Sequence, residues 1–217
     1  MSDLKVDGII ASTSTNTNLT LQGKGTGKVA IGDGALLFPD ADGSANQVIE
    51  TNASGVLSFV SLPSTGFTLA TEQATTSGTS VTFGSIPTGT KMVIIMFEGV
   101  SLNSNTDIDV TIGDSGGLET SGYVSTSNSL ENTASANVAS TAEFNINLVD
   151  AAHIFSGTMT LTLKDSSNFT WISTHEFKAA TNTVCHGGGE KSLSAELTQV
   201  SIGGGTFDAG SINIMYQ

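Results

Sequence analysis

The sequence predicts an all-β protein, an extended N-terminal region of short strands followed by a jelly-roll-like β-sandwich. Three observations predict it. Apolar and polar residues alternate with a period of two in several stretches, clearest in Asp107-Ile-Asp-Val-Thr-Ile112, Glu143-Phe-Asn-Ile-Asn-Leu148 and Ser211-Ile-Asn-Ile-Met-Tyr216. Turn signals bound these stretches, and no segment carries a helical period. The composition suits strands and turns, with 25 Gly, 3 Pro and a charged share of only 12%. Ser, Thr and Asn must therefore build the polar surface.

The first region, 1–60, holds short runs such as Leu19-Thr-Leu21, Lys28-Val-Ala-Ile31, Ala35-Leu-Leu-Phe38, Val48-Ile49 and Val56-Leu-Ser-Phe59. Gly23-Lys-Gly-Thr-Gly27, Asp33-Gly34, Asp42-Gly43 and Ser54-Gly55 separate them as turns. These runs are too short and too poor in bulky residues to close a core alone, which predicts pairing with copies of the same chain, most simply in a homotrimer. A Thr/Ser/Ala-rich linker, 61–78, follows. The remainder, 79–217, reads as one β-domain with strands near 81–83, 91–97, 108–112, 143–149, 158–163, 169–173, 193–202 and 211–216. The stretch from Thr120 to Thr141, nearly all Ser, Thr, Asn and Ala, reads as a long polar loop.

Charge excludes whole classes of partner. Lys and Arg total 7, all of them Lys, against 20 Asp and Glu, for a net charge of −13. A phosphate backbone needs clustered cations, so no nucleic acid is expected as a partner. The mean hydropathy of +0.11 is too high for a disordered acidic tail. Cys185 is the only cysteine, so no intrachain disulfide forms. Met1-Ser-Asp-Leu-Lys5 lacks the pattern of a signal peptide, and the longest apolar run, 92–97, is too short to cross a bilayer, so no membrane insertion is expected.

Several motifs imitate chemistry. Gly113-Asp-Ser-Gly-Gly117 matches the nucleophile loop of trypsin-like serine proteases, and Ala151-Ala-His153 echoes their histidine. The histidine, however, follows the serine, the reverse of that family's order, so the string reads as a turn after the 108–112 strand. Gly23-Lys-Gly-Thr-Gly-Lys28 lacks the spacing and the following helix of a phosphate loop. Gly187-Gly-Gly-Glu-Lys-Ser192 reads as a flexible turn. Asp40-Ala-Asp-Gly43 lacks the closing carboxylate of a calcium loop, and Asp107 with Asp109 reads as a solvated polar strand face. One thiol, Cys185, and the scattered His153, His175 and His186 give no zinc spacing. The expectation is therefore no catalytic residue, no cofactor and no metal. Among the aromatic residues able to stack on a sugar ring, Trp171 reads as core, and Tyr123, at the start of the polar loop, is the candidate ligand contact.

The stretch Leu36-Leu-Phe-Pro-Asp-Ala-Asp-Gly-Ser-Ala-Asn-Gln-Val-Ile-Glu-Thr-Asn-Ala-Ser-Gly-Val-Leu-Ser-Phe59 resembles a segment of the tail-fibre proteins of tailed bacteriophages, especially marine phages. Met92-Val-Ile-Ile-Met-Phe-Glu-Gly-Val100, Gly113 to Gly117 and Phe207-Asp-Ala-Gly-Ser-Ile-Asn-Ile-Met-Tyr216 are similar to virion domains at the ends of such fibres. The resemblance implies a homotrimer in the virion, assembled in the host cytoplasm and released by lysis. An N-terminal region would attach to other virion proteins, and a distal β-domain would meet a host surface glycan or protein. It supplies no site residues. Long tail fibres are usually much larger chains, so a short spike, a head fibre or a capsid decoration protein is the alternative.

Overall fold

The computed structural model describes residues 30–31, 36–39, 43–62, 66–132 and 134–217. Leu19-Thr-Leu21, the string from Gly23 to Lys28, Asp33-Gly34 and most of Asp40-Ala-Asp-Gly43 lie outside them. The chain divides into two compact units, Met1–Ser64 and Thr65–Gln217. All regular structure among the described residues is strand, as the alternation predicts.

In the first unit, β1 (Ala30–Ile31) pairs with β2 (Leu36–Leu37), and β3 (Gln47–Thr51) forms a hairpin with β4 (Leu57–Ser61). The hairpin turn is held by the Asn52 side chain, whose Oδ1 accepts from Ser54 N at 2.9 Å and Val56 N at 3.1 Å. No residue in 36–39 or 43–62 is buried, and Ile49 keeps 50% of its surface exposed.

The second unit holds β5 (Thr68–Leu69), β6 (Gln73–Ala74), β7 (Val81–Phe83), β8 (Met92–Leu102), β9 (Ile108–Asp114), β10 (Gly117–Leu118), β11 (Val124–Glu131), β12 (Ala134–Ser140), β13 (Phe144–Ile146), β14 (Phe155–Asp165), β15 (Thr170–Ala180), β16 (Thr183–Ser192), β17 (Gln199–Gly203) and β18 (Phe207–Tyr216). The large sheet runs β12-β11-β16-β15-β14-β8-β18-β5, with β6 also on β18; the smaller runs β10-β9-β17-β7, with β13 on β9. Every strand pairing is antiparallel. The period of two sends Val93, Ile95, Phe97, Leu161, Phe177 and Ile214 inward from the large sheet, and Ile108, Val110, Ile112, Phe144, Ile146 and Val200 from the small one. All of them join one buried cluster. Each such side chain contributes roughly 1.5–3 kcal/mol on leaving water, which makes this core the main stabilising term. Phe97 and Phe155 pack on Phe177 with ring centroids 4.8 and 6.1 Å apart. The expected two-sheet sandwich is what the chain forms.

Several expected boundaries move. Part of the expected linker, 61–78, belongs to the large sheet: β5 and β6 pair with β18, and the buried Thr75 donates from Oγ1 to Ala209 O at 2.7 Å. Backbone pairing holds this segment, so its few apolar residues do not betray it. The expected loop from Thr120 to Thr141 is the β11–β12 hairpin. The inward residues of β11 are Ser125, Ser127 and Ser129, so its alternation is polar and invisible to a hydrophobic pattern. Two of those hydroxyls accept from Asn145 N and Asn147 N, each at 3.0 Å, which docks β13 on the large sheet. Gly187-Gly-Gly189 is no turn but the middle of β16, between β11 and β15. A Cβ on Gly187 would stand 2.2 Å from Thr126 O and 2.7 Å from the His175 ring, so only glycine fits.

Candidate functional site

Tyr123, the sequence candidate for ligand contact, is corrected by the structure: it is only 1% exposed. Its hydroxyl accepts from Ile112 N at 2.9 Å and lies 3.2 Å from Ile112 O and 3.1 Å from Glu119 O, while its ring meets Phe144 edge-on at 4.9 Å. Lys191, paired with Glu119 at 3.1 Å, covers the ring with its ammonium 5.4 Å from the centroid. Burial pushes the phenol up to about 12. Gly122 at positive φ turns the chain inward just before it, a backbone feature that composition does not reveal. Trp171 is buried, as expected.

Gly113 to Gly117 forms the expected tight turn. Gly117 pairs with Asp114 and Leu118 with Gly113 across a two-residue connection, Ser115-Gly116. Ser115 is exposed, but Asp114 is buried and fully engaged. Its Oδ1 accepts from Gly116 N at 2.7 Å, and its Oδ2 accepts from Ser194 Oγ at 2.6 Å, Ala195 N at 3.0 Å and Ser194 N at 3.2 Å. These bonds, the Ser194 hydroxyl first, hold the carboxyl below the usual carboxylate range. The aspartate thus ties the β9–β10 turn to the 193–198 segment and orients no histidine. His153 is buried instead against Phe155, ring centroids 6.5 Å apart.

The same tie shapes a cleft at this end of the sandwich. A small hollow of about 20 Å³, room for one water-sized group, is lined by Thr90, Leu163, Ser166, Phe169, Trp171, Glu196 and Leu197. A more open hollow of about 380 Å³ is lined by Thr88, Ser115, Phe169, Ala195, Glu196 and Thr198, so the two share Phe169 and Glu196. Each shared residue is fixed in place. Asp165 accepts from Ser167 N at 2.8 Å and Asn168 Nδ2 at 2.9 Å, closing a turn whose last residue is Phe169, with φ of 48°. A bulky side chain at positive φ costs on the order of 1–3 kcal/mol and persists only where its surroundings over-determine it. Leu193 N completes the restraint by donating to Phe169 O at 3.2 Å. Glu196 accepts from Gly89 N at 3.1 Å through Oε1, with no partner on Oε2 among the described residues. Trp171 Nε1 is buried and finds no acceptor among the described residues. The sequence marks Trp171 as core and gives Phe169 and Glu196 no functional signature. The only local signal was the Asp165-Ser-Ser-Asn168 turn before an aromatic residue.

The remaining candidates fall elsewhere. Asp107 is not a free polar-face residue: it accepts from Leu148 N at 2.8 Å and Asn145 Nδ2 at 3.3 Å. Burial, then the charges of Glu143 and Asp107, push Asp109 up to about 6. Cys185 and His175 are buried together with Ser127, whose Oγ lies 3.0 Å from His175 Nε2 and 3.2 Å from Cys185 Sγ. Among the described residues no group of three or more His, Cys, Asp or Glu is spaced to hold a metal ion. No protein-family model, no curated protein and no solved structure matches the chain.

Proposed function

We propose that this chain is a structural protein of a bacteriophage virion, a homotrimeric fibre or spike whose C-terminal β-domain contacts the host surface without catalysis. The observation that carries the reading is the contrast between the two units. The N-terminal unit has no buried residue in 36–39 or 43–62, and its hairpin leaves Val48 and Ile49 exposed. Chains of this kind become ordered by pairing with copies of themselves or with a larger partner, which suits an attachment region. The C-terminal unit has a complete core and a cleft between loops, which suits a rigid distal module. An acidic, arginine-free surface fits neither nucleic acid nor an anionic membrane.

Purified protein incubated with the host bacteria tests the reading. Saturable binding to whole cells, with protection from infection, is the expected result. Binding confined to the phage particle, with a gain in its thermal stability and no effect on attachment, overturns host contact in favour of a decoration or head-fibre role.

A further inference from the structure

We propose that the cleft around Phe169, Trp171 and Glu196 is a binding site for a neutral saccharide unit. The sugar ring lies against Phe169 in the outer hollow, and one hydroxyl group enters the inner hollow beside Trp171. The inference deepens the host-contact reading and rests on it for biological meaning, while the chemistry stands on the cleft alone.

Four features argue for this ligand class. Phe169 is half-buried, lines both hollows and is held at positive φ by the Asp165 turn, so the backbone bears strain to hold an aromatic ring there. The weakly polar C–H face of a sugar ring suits such a surface, because it gives up little hydration on contact. Trp171, which lines the inner hollow, has a buried Nε1–H without an acceptor. A buried donor of that kind costs roughly 1–3 kcal/mol, a cost that a ligand hydroxyl in the hollow relieves once the side chains covering Nε1 part to admit it. The outer hollow, about 380 Å³, falls at the lower end of the ~300–1,000 Å³ range of small-ligand sites and accepts a ring. Its polar lining consists of hydroxyls, Thr88, Ser115 and Thr198, and one carboxylate, Glu196. Hydroxyls and a carboxylate oxygen match the donors and acceptors of a neutral sugar. With no cation in the lining of either hollow, the same carboxylate repels uronates, sialic acids and phosphates.

The chain contains a single tryptophan, so its fluorescence reports directly from the inner hollow. The full chain is titrated with neutral hexoses, N-acetylhexosamines and their disaccharides, and with glucuronate and sialic acid. A neutral saccharide is expected to shift Trp171 emission saturably in the millimolar range, with no response to the anionic sugars. Glu196→Gln is expected to weaken the neutral ligand about tenfold and to admit glucuronate. Phe169→Gly, which removes the ring and relieves the positive φ, is expected to abolish the response while thermal melting shows the fold intact. Silence from Trp171 with every neutral saccharide, or affinities unchanged in both variants, overturns the site. If wild type responds but neither variant loses attachment to host cells, the site stands and host contact through it fails. If the chain coats host cells while Trp171 stays silent, host contact stands and the saccharide site fails.

Discussion

At the scale of single residues, the buried titratable groups of this acidic chain oppose one another. Burial, aided by the nearby His186, lowers His175 to about 4 from its ordinary 6.5. The ring is 6% exposed, contacts Ser127 and Cys185, and its Nδ1 has no partner among the described residues. An unfolded chain therefore takes up a proton between pH 6.5 and 4 that the folded chain refuses. Stability from this group is complete above 6.5 and lost as pH falls to 4, a change of about 3 kcal/mol. Asp109 runs the other way. Its carboxyl is raised to about 6 from 3.8, so the folded chain binds a proton first and gains stability as pH falls from 6 to 3.8. Asp114 and Asp165, both lowered, act only below that window. The expected outcome is a nearly flat urea midpoint between pH 6.5 and 4 for the wild type. In His175→Gln, the midpoint rises on acidification over the same range. A midpoint that falls equally in both proteins contradicts the assignment to His175.

At the scale of elements, the strands legible in the sequence are those whose inward residues are apolar. β7, β8, β9, β14 and β18 announce themselves through Val81, Ile95, Val110, Leu161 and Ile214. β11 and β16 do not, for opposite reasons. β11 turns serines inward and satisfies them with backbone amides of β13, while β16 dispenses with side chains altogether at Gly187-Gly-Gly189. Of the strand expected over 193–202, only Gln199–Gly203 pairs, because Asp114 holds Ser194 and Ala195 in a loop. The cleft was illegible for the same reason: it depends on that carboxylate and on the positive φ of Phe169, neither of which has a periodic signature. Glycine at 187 follows from close backbone approach rather than flexibility, and this separates two otherwise identical substitutions. Gly187→Ala places a methyl group against Thr126 O and is expected to cost about 3 kcal/mol or to prevent folding. Gly84→Ala meets nothing within 4 Å at an ordinary φ and is expected to change stability by no more than about 0.5 kcal/mol. Urea unfolding of both variants checks the contrast. Equal effects would show that β16 tolerates side chains where its neighbours leave no room.

At the scale of the whole molecule, the buried residues among those described all lie after the division at Ser64 and Thr65. Among the described residues, the buried apolar cluster starts at Val81 and ends at Ile214, with Ala70 packed against it. Residues 65–217 therefore carry a core of their own. The described strands of the first unit, with Leu36, Val48 and Ile49 exposed, gain little from folding alone and much from covering those residues with another chain. Self-association should then belong to the N-terminal unit and stability to the C-terminal one. The full chain is expected to scatter light as a trimer. A fragment of residues 65–217 is expected to be a monomer that melts cooperatively, with the buried Trp171 still emitting in the blue. A monomeric full chain would remove the reason for assigning an assembly role to the hairpins. A trimeric fragment would move the interface to the sandwich, where the exposed Leu69 on the edge strand β5 would be the first residue to replace with a charge.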